Sequence, residues 1–440
     1  MTTQLTTGLA KSGMISLGIK ASGAALSYVM VVAFAHMLGP EEYGRFAAGL
    51  NSAIILAAFS GLGFSTGIMR YYPQYRVQGN IAAAKGVARL GYLIVIVGGI
   101  VAIVVSVLAW PLISKIFGND SASFVVTIAA LSLMTGLGDY STNLLRAQGN
   151  VVVSMLPRDV LWRVLAPLLA FDVLLYQHGL TATQALLASV FVLFGLNIWQ
   201  ALVSTRLSAA LGSAKPLVAL VQLRESLWPL WLALIINAMI AQFDVVMVGS
   251  LLSKADAGAY FAAQKTAQLL SLVLIAGGMT TAPSMAALYH SGKRDELQAL
   301  CRRMAMAIAA VTIIGFVFLI VVGKLLLGLF DTSFVTAYPV LMILALGAVV
   351  DAMSGPNAYL MQMTHLERSY VAIMVGSYSL VLIGQFILIP RIGSMGAAMA
   401  SASGVILWNI IAIITLRRQA GLDPSLLSLL WPPRKRVSLK

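Results

Sequence analysis

The chain has 440 residues, of which 60% are hydrophobic and only 10% are charged. An ordinary soluble domain has about 25% charged residues, so this composition excludes a soluble protein. Apolar runs of about 20 residues, long enough to cross a hydrocarbon core of about 30 Å, follow one another along the chain. Since no long alternating stretch typical of a barrel strand occurs, the sequence predicts an all-α integral membrane protein.

The net charge of +14 has two interpretations. It is compatible with nucleic-acid binding, but in a membrane protein it more often reflects cytoplasmic loops rich in lysine and arginine. The positions of the charges decide between these interpretations. The single cysteine, Cys301, excludes an intramolecular disulfide and a cysteine-rich metal site, and we expect neither a metal nor a cofactor.

Twelve apolar segments predict twelve transmembrane helices. They lie at residues 14–37, 47–69, 90–112, 123–145, 159–177, 182–205, 226–249, 258–281, 304–323, 334–362, 370–389 and 395–416. Because the number is even, both termini are expected on one side of the membrane. No ATP-binding loop interrupts these segments, so we expect transport to be driven by an ion gradient, the membrane potential or the substrate gradient.

The loops alternate in charge. With this topology 22 basic residues fall on the side of the termini, and the opposite side holds five, Arg45, Lys115, Lys254, Lys324 and Arg391. By the positive-inside rule the richer side is cytoplasmic. We therefore expect both termini in the cytoplasm, membrane lipids as partners, and no nucleic-acid partner.

Like residues recur at a separation of 214 positions, which indicates two copies of one six-helix unit. The matching pairs are Gly44 with Gly258, Phe46 with Tyr260, Tyr75 with Tyr289, Asn143 with Asn357, Gln148 with Gln362, and Gly179 with Gly393. The predicted organisation is an N-terminal lobe at 1–205, a cytoplasmic linker at 206–225, a C-terminal lobe at 226–416 and a basic cytoplasmic tail at 417–440. Parallel repeats are typical of alternating-access transporters, although topology alone does not exclude a channel or a membrane enzyme.

Basic and amide side chains inside the predicted helices are candidates for substrate binding, because polar groups are costly at membrane depth. Lys20 lies in the first segment, and Lys265 lies in the eighth beside Gln264 and Gln268. Asn51 occupies the position in the second segment that is equivalent to Lys265. If these groups face a cavity between the lobes, the lysines suit a phosphate. The alternative is that each lysine extends to the membrane surface.

Three aspartates inside predicted helices, Asp139, Asp244 and Asp351, are candidates for ion coupling. An intramembrane carboxylate can bind Na⁺ or carry a proton, and it can also pair with a basic residue to hold two helices together. We favour the structural interpretation for each, and coupling to H⁺ or Na⁺ is a hypothesis.

Several short motifs resemble those of Wzx-type polysaccharide flippases in the multidrug/oligosaccharidyl-lipid/polysaccharide exporter superfamily. The run from Leu38 to Phe46 is similar to their first outer loop. Further matches are Asp244 followed by Gly249, Gly258 and Tyr260; Pro283-Ser284 through Gly292; Leu388-Ile389-Pro390; and Gly393 through Ala398. Each motif is weak alone, but their order and spacing extend over nearly the whole chain.

The resemblance implies a V-shaped, MATE-like fold that moves an undecaprenyl-pyrophosphate-linked oligosaccharide from the cytoplasmic to the periplasmic leaflet of a bacterial inner membrane. Candidate partners are this lipid-linked oligosaccharide, a polysaccharide polymerase and a chain-length regulator. The related lipid II flippases carry a triad of basic residues from the first, second and eighth helices. Lys20 and Lys265 match two of those positions, whereas Asn51 stands at the third.

Two other functions stay open. A multidrug/cation antiporter shares the superfamily fold but is expected to present acidic side chains to its cavity. A membrane glycan polymerase or ligase is expected to have a large periplasmic loop with catalytic residues, and the predicted outer loops are all short.

Overall fold

The computed structural model describes residues 2–117, 121–177, 179–210, 220–364 and 366–431. These residues are helical almost throughout and contain no strand. The α-helices are α1 (Thr2–Ser60), α2 (Phe64–Val77), α3 (Ile81–Phe117), α4 (Ala122–Ala147), α5 (Val151–Leu156), α6 (Trp162–Gln177), α7 (Ala182–Ala209), α8 (Leu220–Leu251), α9 (Lys254–His290), α10 (Arg294–Gly328), α11 (Tyr338–Ser354), α12 (Asn357–Met363), α13 (Glu367–Ile392), α14 (Ser394–Gln419) and α15 (Leu427–Leu430). A π-helical turn, Pro157–Leu161, joins α5 to α6, and a 3₁₀-helix, Thr332–Ala337, precedes α11.

Within the described residues, 10 helices are long and apolar enough to cross a membrane. The all-α membrane architecture predicted from composition is therefore confirmed, while the count of twelve stays a prediction. The first candidate span, Gly18–Ser60, has 43 residues, about twice the length that a bilayer requires. Its backbone leaves the helical conformation at Gly39, where φ is 72°. Helix α6, with 16 residues, covers most of the predicted fifth segment.

The structure corrects three predicted boundaries. The run at 38–46 is not a loop, since it is helical apart from the break at Gly39, which precedes Pro40. The predicted segment 47–69 ends at Ser60, and a turn leads into the separate helix α2. The predicted segment 334–362 is interrupted at Gly355, whose φ of 75° suits glycine, and Pro356 follows it.

The chain divides into two compact units, Met1–Gly258 and Ala259–Lys440. This division lies later than the predicted linker at 206–225, because α8 packs against α1. Trp231 of α8, for example, donates a hydrogen bond from Nε1 to the carbonyl oxygen of Phe59 at 3.0 Å. Residues 211–219 of the predicted linker and residues 432–440 of the predicted tail lie outside the described residues.

The run that resembles the flippase motif supplies core contacts of the first unit. Tyr43 and Phe46 are fully buried, and the two rings are 6.4 Å apart. Between them lies Gly44, at which an added Cβ atom would overlap the carbonyl oxygen of Lys254 and lie 3.1 Å from the backbone nitrogen of Gly258. The glycines related by the 214-residue repeat therefore lie at one close helix contact.

The two halves also share a turn. After α2, Gly79 has a φ of 72°, and the N–H of Asn80 donates to the carbonyl of Tyr75 at 2.9 Å. After α9, Gly292 has a φ of 73°, and the N–H of Lys293 donates to the carbonyl of Leu288 at 3.0 Å. Glycine adopts this left-handed conformation without a steric cost, which explains its place at both helix ends.

We predict that Gly44→Ala destabilises the protein, because the new methyl group meets a backbone carbonyl that cannot move without separating two helices. Overpacking of this kind costs about 1–3 kcal/mol or more, so the apparent Tm in detergent should fall by roughly 5 °C or more. The matched control is Gly195→Ala in α7, where an added Cβ meets nothing within 4 Å. The control should match or exceed the wild-type Tm, since alanine favours a helix. A wild-type Tm for Gly44→Ala would contradict the close contact.

Candidate functional site

Lys20 of α1 forms an ion pair with Asp159 of the π-helical turn. Its Nζ lies 2.8 Å from Oδ2 and 3.1 Å from Oδ1 of the same carboxylate. The Asp159 side chain is 9% exposed, whereas that of Lys20 is 46% exposed. The carboxylate is therefore buried, while nearly half of the lysine side chain stays exposed.

Arg163, one turn after Asp159, connects the same turn to α1. Its Nη1 donates to the carbonyl of Gly23, and its Nη2 lies 4.0 Å from Oδ1 of Asp159. A Cβ atom added at Gly23 would lie 2.7 Å from the Asp159 carbonyl oxygen and 2.9 Å from Nη1 of Arg163. Glycine at this position lets the two helices approach closely enough for both contacts. The buried Nε of Arg163 has no hydrogen-bond partner among the described residues.

A second ion pair joins Asp139 of α4 to Arg158, the residue before Asp159. Because Arg158 and Asp159 are consecutive in the π-helical turn, the two ion pairs adjoin each other. We call Lys20, Asp139, Arg158, Asp159 and Arg163 the charge cluster. Its three cations and two carboxylates leave one net positive charge in the first unit, an arrangement that favours an anionic ligand over a cationic one.

The π-helical turn that carries Arg158 and Asp159 begins at Pro157. Proline has no N–H, so the carbonyl of Val153 one turn earlier lacks its helical donor. Gln200 of α7 replaces that donor, since its Nε2 lies 3.0 Å from the Val153 oxygen and 3.1 Å from the Ser154 oxygen. π-Helical turns occur frequently at functional sites, and this one sets the direction of Asp159 toward α1.

Asn51 does not have the exposure that we expected of a residue facing a cavity. It is 1% exposed, and its Nδ2 donates to the carbonyl of Ala47 in its own helix at 2.7 Å. Asn51 was selected because it is the repeat equivalent of Lys265, and that equivalence carries no information about the side chains that cover it.

Lys265 lies on α9, in the part of that helix that belongs to the second unit. Its Nζ donates to Oε1 of Gln268 at 3.3 Å and lies 5.1 Å from the centroid of the Phe261 ring. Gln264 is partly exposed and Gln268 is exposed. Lys265, Gln264 and Gln268 thus lie together on α9, with the Phe261 ring beneath the ammonium.

Asp351 belongs to a hydrogen-bonded chain in the second unit. Its Oδ1 accepts from Nδ2 of Asn409 at 2.8 Å, and Oδ1 of Asn409 accepts from Nδ2 of Asn357 at 2.8 Å. The chain joins α11, α12 and α14 around the break at Gly355. The amide of Asn409 thus contacts this carboxylate, where the structural interpretation of the sequence had a basic residue.

Asp244 of α8 is 5% exposed, while Asn237, seven residues earlier, is exposed. The two residues therefore differ in environment even though helical periodicity places them on one face.

The structure adds residues that the sequence analysis did not select. Asp159, Arg158 and Arg163 lie at the end of a predicted helix, where a charge is ordinary, and their partner Lys20 is more than a hundred residues away. Gln200 and Asn409 could have been selected from the sequence, since each is an amide in the middle of an apolar helix. No group of three or more metal-ligating side chains occurs in the part of the chain that the structure describes.

Comparison with known proteins places these residues in a family. A family model described as "Polysaccharide biosynthesis protein" matches residues 9–289. The succinoglycan biosynthesis transport protein ExoT of Rhizobium meliloti (strain 1021) is 24% identical over 343 residues. The match covers 73% of this chain and 62% of that protein, so less than two thirds of the relative is represented.

Solved structures share the fold at low sequence identity. An inward-facing multidrug resistance MATE family transporter of the MOP superfamily has a TM-score of 0.71 at 14% identity, covering 92% of this chain and 98% of that one. The lipid II flippase MurJ in an inward closed conformation has a TM-score of 0.67 at 14% identity, covering 92% and 87%. The chain belongs to the polysaccharide biosynthesis protein family, and it shares its fold with the MATE transporter and with the lipid II flippase.

Proposed function

We propose that this transporter moves an undecaprenyl-pyrophosphate-linked oligosaccharide from the cytoplasmic to the periplasmic leaflet of a bacterial inner membrane by alternating access, with both termini in the cytoplasm. Membership of a polysaccharide biosynthesis family supports a saccharide cargo. The neighbour described as a lipid II flippase has the same fold and supports a lipid-linked one. The observation that carries the proposal is the net positive charge cluster around the half-exposed Lys20.

A pyrophosphate is the part of such a lipid that a cationic group can hold. Lys20 offers a half-exposed cationic side chain. Arg163 lies beside the same carboxylate, and its Nε–H group has no hydrogen-bond partner among the described residues. Because the Lys20 side chain is half-exposed, a phosphate can approach it and compete with Asp159 for its charge. Binding would then replace the Asp159 carboxylate by a phosphate as the anionic partner of Lys20, so the ammonium of Lys20 would stay paired.

Lys265 provides the corresponding cation in the second unit. Its contact with the Phe261 ring and with Gln268 orients the ammonium along α9. The neighbouring amides of Gln264 and Gln268 can donate hydrogen bonds to phosphate or sugar oxygens. We assign substrate binding to Lys20 and Lys265 with these amides. Asn51 can contribute only if its surroundings open, because it is buried.

The first test compares charge and shape at Lys265. In proteoliposomes that contain a fluorescent undecaprenyl-pyrophosphate-linked oligosaccharide, Lys265→Arg should retain more flipping than Lys265→Gln, which should lose about tenfold or more. The reason is that a charge-assisted hydrogen bond contributes about 1.5–3 kcal/mol. Lys324→Gln is a matched control, since Lys324 also lies over an aromatic ring, that of Tyr338 at 5.3 Å. Equal rates for all four proteins would exclude this role.

The second test separates the structural and substrate roles of Lys20. Lys20→Asp alone places two carboxylates together and should lower the Tm. Lys20→Asp combined with Asp159→Lys restores an ion pair and should recover the Tm. If Lys20 also holds the phosphate, the exchanged pair should still flip the lipid at least about tenfold more slowly, because the ammonium now sits on the buried side. Recovery of both Tm and flipping would show that the pair is only structural.

We also propose that a carboxylate couples flipping to H⁺ or Na⁺. A bound cation neutralises the carboxylate and so lowers the cost of closing the protein around it. Asp351 is a candidate for the coupling residue because its partner is an amide in a hydrogen-bonded chain rather than the cation of an ion pair. Asp244 is supported by its burial, and Asp139 is the third candidate because Arg158 already neutralises it.

The third test replaces each candidate by asparagine, which keeps an oxygen acceptor and removes the charge. At the coupling position, flipping should lose its dependence on pH or Na⁺ while binding of the lipid persists. Asp172→Asn is the control, since Asp172 is an exposed residue of α6. If Asp139→Asn, Asp244→Asn and Asp351→Asn all keep the wild-type ion dependence, none of these carboxylates is the coupling group.

A further inference from the structure

The chain makes an ordered structure after its last long helix. Helix α14 ends at Gln419, and Gly421, with a φ of 68°, turns the chain back on itself. Leu422 is then buried in the core of the second unit together with Ala420. We call residues 420–431 the C-terminal hook.

A row of side chains on α10 binds the backbone of the hook. Arg294, Gln298 and Arg302 are spaced four residues apart and therefore lie on one face of the helix. They donate hydrogen bonds to the carbonyl oxygens of three hook residues, Ala420, Asp423 and Ser428. Gln298 also accepts from the Asp423 N–H at 2.9 Å, so its amide pairs with that residue in both directions.

Asp423 fixes the hook to α14 through a buried charge. Its side chain is fully buried, and Nε of Arg417 lies 2.7 Å from its Oδ2. Its Oδ1 accepts from the N–H of Ser425 at 2.9 Å and from the Ser425 hydroxyl at 2.6 Å. Every oxygen of this carboxylate therefore has a donor, which is the condition under which a buried charge is tolerated.

A third attachment joins the hook to the end of α11. The N–H of Leu426 donates to the carbonyl of Met353 at 3.0 Å. At the helix break after α11, a Cβ atom on Gly355 would overlap the carbonyl oxygen of Pro424. The hook is thus held by α10, α11 and α14 together and has one defined orientation.

These attachments place the hook at the level of a membrane surface. The candidate span Arg294–Gly328 begins at the contacts described above, and the candidate spans Thr332–Ser354 and Ser394–Gln419 end there. Three spans that start or stop beside one segment put that segment near the boundary between hydrocarbon and water.

The hook presents apolar side chains away from the protein at this level. Leu427, Leu429 and Trp431 are 56%, 48% and 73% exposed. In the sequence, Arg434, Lys435 and Arg436 follow within five residues of Trp431. Tryptophan is enriched at membrane interfaces, and basic clusters beside membrane helices attract anionic lipids by about 1 kcal/mol per charge.

We propose that the C-terminal hook is a binding surface for anionic phospholipids. Leu427, Leu429 and Trp431 insert among the head groups and upper acyl chains, and the basic residues after them pair with lipid phosphates. The polar bonds to α10, α11 and α14 hold this surface in place, so lipid binding is transmitted to the ends of three membrane helices. This proposal does not depend on which cargo the protein carries.

The test places one fluorophore on the hook of the full chain. Cys301 is buried and is replaced by serine, so that Leu429→Cys is the only site labelled by an environment-sensitive dye. The protein is reconstituted into vesicles with brominated acyl chains, either of phosphatidylcholine alone or of phosphatidylcholine with phosphatidylglycerol. Gln78→Cys, in the exposed turn after α2, is the control position.

Quenching by brominated lipid should be greater at position 429 than at position 78. It should increase about twofold or more when phosphatidylglycerol is present, because three added charge pairs shift the position of the hook toward the bilayer. Replacing Arg434, Lys435 and Arg436 by glutamine should remove that increase, whereas exchanging arginine for lysine and lysine for arginine should keep it. Tm values confirm that the variants fold.

Equal quenching with and without phosphatidylglycerol would overturn the proposal. A label at position 429 that stays accessible to aqueous iodide in both kinds of vesicle would also overturn it and would leave a water-soluble partner as the occupant of this surface.

Discussion

A buried charge must have a partner, and the ion pair between Asp159 and Lys20 shows what the protein needs to provide one. A buried carboxylate left without a partner is strongly destabilising, so the 9% exposed Asp159 side chain needs a cation beside it. To bring the two together at 2.8 Å, the backbones of α1 and the π-helical turn must approach closely. Gly23 allows that approach, and Gln200 satisfies a carbonyl that Pro157 leaves without a donor.

The same ion pair determines how a substrate can act. A ligand changes the balance between two conformations only to the extent that it binds one of them better. On the proposed function, a phosphate that takes Lys20 from Asp159 leaves a buried carboxylate with Arg163 as its neighbour, at 4.0 Å. That state is stable only if the π-helical turn or α1 adjusts, which connects cargo binding to movement of the helices. The second unit has its own polar chain, from Asp351 through Asn409 to Asn357, beside the helix break at Gly355.

The sequence was sufficient for the architecture and for part of the site. Apolar runs predicted membrane helices because their length is set by the bilayer, and Gly44 and Gly258 revealed a repeat whose glycines meet in the structure. Lys20 could be identified from the sequence as a candidate site residue because a charged residue in an apolar helix is conspicuous. Its partner could not, because no periodicity relates residues separated by 139 positions. The burial of Asn51 could not be predicted either, since the 214-residue repeat identifies an equivalent position but not the side chains that cover it. The break at Gly355 was missed because an apolar run continues through it, although Gly-Pro is a known interruption.

The central claim is that the phosphate of the cargo is recognised by cations inside this transporter. The most direct measurement compares flipping of one fluorescent oligosaccharide carried on undecaprenyl pyrophosphate with flipping of the same oligosaccharide carried on a neutral polyprenyl lipid, in proteoliposomes containing the wild-type protein. Recognition through Lys20 and Lys265 predicts transport of the pyrophosphate lipid at a rate at least about tenfold above that of the neutral lipid. Equal rates for both lipids, or uptake of an organic cation without flipping of either, would contradict it.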